Sequence, residues 1–165
     1  RNSIGYVPQS TFLFSETIER NIKFGKEKAS KNEVENAAIN ACLSNDIDFF
    51  KNGYETLLGE RGVNLSGGQK QRLAIARAII KKPKILIMDD SLSAVDTETE
   101  EKILSNINKI SEDITLIMAT HRISSAKNCD KILVLENGKV LEHGSHKDLI
   151  KNNGYYSKTQ LKQSK

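Results

Sequence analysis

Cysteine is scarce and solitary: Cys42 and Cys129 stand far apart, with no C-x-x-C pair and no Cys/His cluster beside either. That spacing indicates neither a metal site nor a disulfide framework, and free thiols are compatible with a reducing compartment. No apolar run approaches the ~20 residues that a bilayer-spanning helix needs, and the first residues form no signal peptide. The chain opens on Arg1-Asn2-Ser3-Ile4 without an initiator Met, so we expect a piece of something longer. The run G-x-x-x-x-G-K-[ST], whose backbone would cradle phosphates, is absent. Charge of a single sign is lacking too. The net charge of +4 is spread over interspersed acids and bases, which reads as a solvated surface and not as a nucleic-acid stripe. There is no low-complexity tract, internal repeat or obvious linker.

What is present is ordinary soluble-protein composition, 38% hydrophobic and 28% charged over 165 residues, enough for one domain with a real core. Ser3 to Val7 reads as a short strand stopped by Pro8. Glu16–Phe24 reads as a short amphipathic helix ended by Gly25. Ser30-Lys31-Asn32-Glu33 has the capping-box form and opens a helix with Val34, Ala37, Ala38 and Ala41 on one face. Asp46–Lys51 is expected to be another helix. The region from about 10 to 80 is thus mostly helical, and strands alternate with helices after it. Lys84–Asp89 and Ile114–Ala119 are expected to be strands buried on both faces. Between them Thr97-Glu98-Thr99-Glu100 caps a helix striped by Ile103, Leu104, Ile107 and Ile110. Lys131–Glu136 and Lys139–Glu142 flank Asn137-Gly138, a hairpin signal. Ser145-His146-Lys147-Asp148 caps a short helix, with a polar terminal helix behind it. The pattern argues for an α/β fold with a largely parallel sheet.

One stretch organises the chemistry. Leu65-Ser66-Gly67-Gly68-Gln69 leads directly into a helix running to Ile80 and closed by Pro83. Ser66 sits where an N-cap belongs, and two glycines let a ligand approach the backbone. Unpaired first-turn amides and the helix dipole suit a phosphate there; an ordinary glycine-containing cap is the plainer alternative. Asp89 and Asp90 end the first buried strand, where open α/β sheets bind ligands. Paired acids at that place suit Mg²⁺ coordination and polarisation of a nucleophile, or they are simply two solvated acids. Asp96 fits the N-cap of the next helix. His121, just past the second strand, and Gln9, just past the first, read in isolation as a structural histidine and a loop residue.

Taken together and in order, these stretches resemble the motifs of ATP-binding-cassette (ABC) ATPases. Leu65–Gln69 is similar to the signature, and Ile85–Asp90 to the Walker B element. Ser91-Leu92-Ser93-Ala94-Val95-Asp96 resembles the D-loop, which runs across a dimer interface. His121 matches the switch histidine that contacts the γ-phosphate, and Gln9 the Q-loop glutamine near Mg²⁺ and the attacking water. Gly59-Glu60-Arg61-Gly62 resembles the X-loop of ABC exporters, with Glu60 and Arg61 at its centre. Phe14–Ile22 resembles the part of the exporters' helical subdomain that meets the membrane domains.

The resemblance implies a P-loop NTPase-like ABC ATPase core with N-terminal strands and phosphate loop missing. A helical subdomain at about 10–80 would carry Q-loop and signature, and an α/β core at about 81–165 would carry Walker B, D-loop and switch histidine. It implies ATP and Mg²⁺ as ligands. Ser66, Gly67, Gly68 and Gln69 would serve a partner domain's nucleotide. Asp89, Asp90, Gln9 and His121 would serve this chain's own, with Asp89 and Gln9 at the metal and Ser93, Ala94 and Asp96 at the interface. The implied partners are a second nucleotide-binding domain and transmembrane domains, at the cytoplasmic face of a membrane, with no nucleic acid. One departure stands out: the family usually has Glu where this chain has Asp90. An Asp reaches ~1.5 Å less, about one C–C bond, and a general base must come within about 2.6–3.2 Å of its proton. We therefore expect the degenerate half of a heterodimeric multidrug or lipid exporter, with a homodimer as the alternative. The chain alone is expected to bind ATP weakly and to be inactive. Rival readings are a soluble ABC ATPase of DNA repair or translation, and a structural or regulatory module.

Overall fold

Consecutive apolar residues build the central sheet. In the computed structural model, which describes residues 3–110 and 114–163, β1 (Ile4–Val7), β2 (Ile85–Asp89) and β3 (Thr115–Ala119) form a three-stranded parallel sheet in the order β1-β2-β3. Val7 pairs with Met88, and Met88 with Met118, so the strand ends lie side by side. The chain divides into two compact units, Arg1–Ala119 and Thr120–Lys165.

In the first unit, helices fill the long crossover between β1 and β2. They are α1 (Ile18–Lys23), α2 (Lys31–Asn40), α3 (Ser44–Asp48) and α4 (Gly67–Ile79). α2 begins as expected, with Ser30 and Glu33 in a reciprocal capping box. α3 starts earlier than the expected Asp46, because Asp46 is drawn into its first turn and its carboxylate pairs with Arg72. α4 is the pillar of the unit: Leu73, Ile75 and Ala76 are fully buried in the same core as Ile22, Val34, Ala38, Leu86 and Met88. Arg77, on α4, donates to the carbonyls of Asn21 and Phe12 and to the Asn21 side chain, at 2.8–2.9 Å. Its guanidinium also lies over the Phe14 and Phe24 rings. Burial pushes its pKa down to about 10, which leaves it charged at neutral pH.

α5 (Thr97–Ile110) returns the chain from β2 to β3, burying Ile103, Leu104 and Ile107. Its cap is Asp96, whose Oδ1 accepts from Thr99 N at 2.9 Å. That bond holds the Asp96 carboxyl below the usual carboxylate range. The two strands expected to be buried on both faces are not. β2 buries Leu86 and Met88 while Ile85 and Ile87 are half-exposed, and β3 alternates between exposed and half-buried. The reason is one-sided coverage: the core residues share one face of the sheet, and the other presents Ile4, Tyr6 and Ile117, about half exposed.

The second unit is a short helix, a hairpin and two closing helices: α6 (Ile123–Ala126), β4 (Ile132–Glu136), β5 (Lys139–Gly144), α7 (His146–Lys151) and α8 (Tyr155–Gln163). Asn137 and Gly138 both take positive φ at the turn, as the sequence predicts. Ser145 and Asp148 form another reciprocal capping box, at α7. Ile132, Leu149 and Tyr156 make a small separate core. No helix among the described residues is long and apolar enough to cross a membrane.

Candidate functional site

Three of the residues singled out in the sequence meet where the parallel strands end. Gln9, two residues past β1, donates from Nε2 to Asp90 Oδ2 at 3.3 Å. Tyr6, on β1, lies with its hydroxyl 3.5 Å from Asp89 Oδ2. Parallel pairing of β1 with β2 makes these meetings possible between residues about eighty positions apart. Asp90 has left-handed backbone, φ 44°, which turns its carboxylate away from the strand direction. The turn is pinned by the Asp90 amide donating to Ala119 O at 2.9 Å and by the Asp90 carbonyl accepting from Ser93 Oγ at 2.9 Å. Among the described residues no cluster of three or more His, Cys, Asp or Glu side chains forms a metal cage. A cation at Asp89 and Asp90 would therefore need further ligands from water or substrate.

The second constellation is the start of α4. Ser66 is its N-cap, accepting at Oγ from Gln69 N at 3.2 Å, while Gln69 Oε1 accepts from Ser66 N at 2.9 Å. The other end of the Gln69 amide donates to Asp46 Oδ1 at 2.8 Å. Asp46 also takes a two-pronged ion pair from Arg72, 2.6 Å at the shorter contact. Both polar atoms of the Gln69 side chain are thus committed within the chain. The Ser66 hydroxyl keeps its hydrogen to donate, and the first-turn amides of Gly67 and Gly68 have no intrahelical acceptor. Ser66 and Gly67 are exposed.

Gln71 ties the two constellations together, and sequence reasoning missed it. It is 7% exposed, donates from Nε2 to Ser93 Oγ at 3.1 Å, and accepts at Oε1 from Ala94 N at 2.9 Å. Since Ser93 Oγ in turn donates to the Asp90 carbonyl, a continuous polar chain runs from α4 to the acid. The available signal was position: Gln71 precedes Ala74 by three residues and Ile75 by four, so it lies on the buried stripe of the helix. A polar residue there has to be paired. Ala94 also explains the two glycines. A Cβ on Gly68 would come within 2.8 Å of Ala94 O, and one on Gly67 within 3.3 Å of Ala94 Cβ.

The Glu60–Gly62 turn, where Arg61 has φ 51°, is exposed at Glu60 and Arg61. It adjoins the Phe14–Ile22 segment. Leu58 N donates to Glu16 O at 3.0 Å and Ile18 N to Thr56 O at 3.1 Å, and a Cβ on Gly62 would meet Leu13 at 2.7 Å. The two stretches that resemble exporter elements are therefore neighbours. His121 belongs to the second unit, where it is exposed at the start of the turn into α6.

A family model described as "ABC transporter" matches residues 1–93. The chain is 48% identical over 156 residues to a probable multidrug resistance ABC transporter ATP-binding/permease protein of Bacillus subtilis, covering 94% of this chain and 27% of that protein. It is 51% identical over 165 residues to a multidrug resistance-like ATP-binding protein of Buchnera aphidicola, covering 99% and 28%. A solved bacterial Atm1-family ABC exporter with ATP bound superposes with TM-score 0.96 at 44% identity, over 100% of this chain and 29% of that one. The chain thus spans little more than a quarter of the length of these two relatives. Motif order, strand-end geometry and these similarities agree: the chain belongs to the ABC transporter family and carries part of its ATP-binding domain.

Proposed function

We propose that this chain is the catalytic and signature-bearing part of an ATPase domain in an ABC exporter, where ATP closure and hydrolysis drive transport. The observation that carries the reading is the meeting of Gln9 with Asp90 at 3.3 Å, at the strand ends where an α/β sheet binds its ligand. The relatives' names, multidrug and Atm1-type, favour export over the soluble DNA-repair or translation ATPases. So does the neighbourhood of Glu60–Gly62 and Phe14–Ile22, the segment that would meet the transmembrane domains.

In this reading residues at about 10–80 work as the helical subdomain and those at about 81–165 as the α/β core. Asp89, with the Gln9 amide oxygen, supplies hard oxygen donors that suit Mg²⁺, which keeps several waters and takes one or two carboxylates. When bound, the ion neutralises charge on the phosphates. Asp90 acts as the base that orients and polarises the attacking water, and Gln9 holds it in place. His121 contacts the γ-phosphate. Ser66, through its hydroxyl, and Gly67 and Gly68, through their amides, bind the nucleotide of a second nucleotide-binding domain. Gln69 shapes that turn, its side chain being committed to Ser66 and Asp46. Ser93, Ala94 and Asp96 line the dimer interface, Glu60 and Arg61 face the transmembrane domains, and the assembly sits at the cytoplasmic face of a membrane. The chain by itself, lacking the lysine-bearing phosphate loop, binds Mg-ATP weakly and does not turn it over.

The shorter reach of Asp90 makes a heterodimer the favoured partnership: this chain's signature completes the partner's competent site while its own hydrolyses slowly. The test is steady-state Mg-ATPase turnover of the intact protein, wild type beside Asp90→Glu, without a partner subunit. A gain of about tenfold, ~1.4 kcal/mol off the barrier, marks a degenerate site. Equal rates mean that the shorter acid suffices and the protein is a homodimer. Absence of ATP hydrolysis in both, and in the mixed complex, overturns the ATPase reading.

A further inference from the structure

The peptide that follows His121 is held at both of its polar ends. Its carbonyl, His121 O, accepts from Gln163 Nε2 at 2.7 Å. Its amide, Arg122 N, donates to Thr120 Oγ1 at 3.0 Å. The next amide, Ile123 N, donates to Gln163 Oε1 at 2.9 Å. Gln163 therefore spans His121 and Ile123 with both atoms of one side-chain amide, from forty residues further along the chain. It also caps α6, whose N-cap residue Arg122 makes no side-chain capping bond to the helix.

Gln163 can do this because α8 is itself fastened at its other end. The Glu142 carboxylate on β5 accepts from Tyr155 N at 2.6 Å and from Tyr156 N at 3.1 Å. An anion there is also favoured by the helix dipole. Gly154 makes room for it, since a Cβ would fall 1.8 Å from Glu142 Oε1. Tyr156 is buried, with its hydroxyl 2.9 Å from His146 Nδ1. A helix pinned at its start delivers its last side chain to a fixed place.

We propose that Gln163 is a positioning residue for His121, through which the terminal helix α8 sets the orientation of the switch histidine. A peptide plane fixed at O and N–H holds the His121 Cα in place and leaves only rotation about its Cα–C bond to swing the Cβ, which narrows where the imidazole can reach. The proposal rests on the reading of His121 as the residue that contacts the γ-phosphate. Loss of Gln163 releases the carbonyl end of the peptide and leaves it held only at the Arg122 amide, so that the histidine is mispositioned without loss of substrate binding, and a misplacement of this kind costs rate.

The experiment is ATP hydrolysis by the intact transporter, steady-state and single-turnover, for His121→Ala, Gln163→Ala, the double variant, Gln163→Glu and Lys162→Ala, with unfolding midpoints alongside. The expected result is a fall in kcat of about tenfold for Gln163→Ala, with KM for ATP changed by less than about twofold. It includes no further loss when Gln163→Ala is added to His121→Ala. Gln163→Glu falls at least as far, because a carboxylate oxygen would face the His121 carbonyl. Lys162→Ala, on the exposed surface of the same helix, keeps the wild-type rate. A wild-type rate for Gln163→Ala beside an impaired His121→Ala overturns the proposal alone. So does a loss that multiplies on top of His121→Ala, or one that tracks a lowered unfolding midpoint, since either marks general stability. A wild-type rate for His121→Ala overturns the underlying reading of the histidine.

Discussion

The start of α4 and the end of β2 are held in different ways. At α4 the side chains are locked: Gln69 between Ser66 and Asp46, Arg72 on Asp46, and Gln71 on Ser93 and Ala94. At β2 it is the backbone that is locked, through the amide and carbonyl of Asp90, while the contacts of Asp89 with Tyr6 and of Asp90 with Gln9 are long and exposed. In the proposed roles the difference has a purpose: an anion site needs its amides in fixed places before the ligand arrives, and an acid that gathers a cation and a water needs a fixed root. The turn at Ser66 is thus set by its side chains, and the turn at Asp90 by its backbone.

The contrast breaks most sharply at Gly68. Alanine there drives a methyl group to 2.8 Å from the Ala94 carbonyl oxygen, a backbone atom that cannot step aside. The start of α4 must shift away from Ala94. We expect Gly68→Ala in the intact protein to lower ATP turnover about a hundredfold and to destabilise by about 1–3 kcal/mol. Gly67→Ala meets only the Ala94 methyl at 3.3 Å and should cost less than about 1 kcal/mol. Urea midpoints of the two variants check the order, and equal midpoints would sink the packing argument.

Gln71 is the next lever, because it joins the locked region to the rooted one. Gln71→Leu keeps the volume but removes the acceptor of the Ala94 amide and the donor to the Ser93 hydroxyl, which keeps its own bond to the Asp90 carbonyl, at a cost of about 2 kcal/mol. Gln71→Glu still accepts from Ala94 N but loses the donation to Ser93 Oγ and buries a charge at a site 7% exposed, so it too should fall below wild type. A wild-type midpoint for either variant would refute the two-bond account. Ser91 offers an opposite sign. Its hydroxyl is buried and without a partner among the described residues, so Ser91→Ala should stabilise by about 1 kcal/mol. An unchanged or lowered midpoint would count against it.

Which parts of this were readable in the sequence follows from the range of each interaction. Caps and turns were: the boxes at Ser30 and Ser145 and the Asn137-Gly138 turn depend on residues within four positions, and their chemistry is local. The strand-end acids and Gln9 were legible as motifs, although their meeting depends on strand pairing across about eighty residues. Exposure of β3 was not legible, because apolar residues such as Ile117 report hydrophobicity and say nothing about which neighbours cover them. Gln71 and Gln163 escaped for the same reason: an amide with a distant partner looks like any surface glutamine until the fold supplies that partner.

The smallest predicted effect separates two caps of the same geometry. The Ser30 box closes on Glu33 and the Ser66 box on Gln69, so only the first can titrate. The Lys26 ammonium, with the Ser30 amide, holds the Glu33 carboxyl down, from an ordinary 4.5 to about 2. A depressed carboxyl contributes stability that is fully present above its unfolded pKa and is lost as pH falls through its folded one. The α2 cap should therefore hold above pH 4.5 and weaken progressively toward pH 2. The two bonds of the α4 box are closed by an amide and carry no titratable group; the Asp46 carboxylate stands one bond further out, on the Gln69 amide nitrogen. Hydrogen exchange, corrected for the intrinsic rate at each pH, should show protection falling at the Glu33 and Val34 amides over that interval while Gln69 and Lys70 keep theirs. Parallel loss at both helices would mean that acid opens the whole unit, and the fixed character of the turn at Ser66 would then owe nothing to its glutamine.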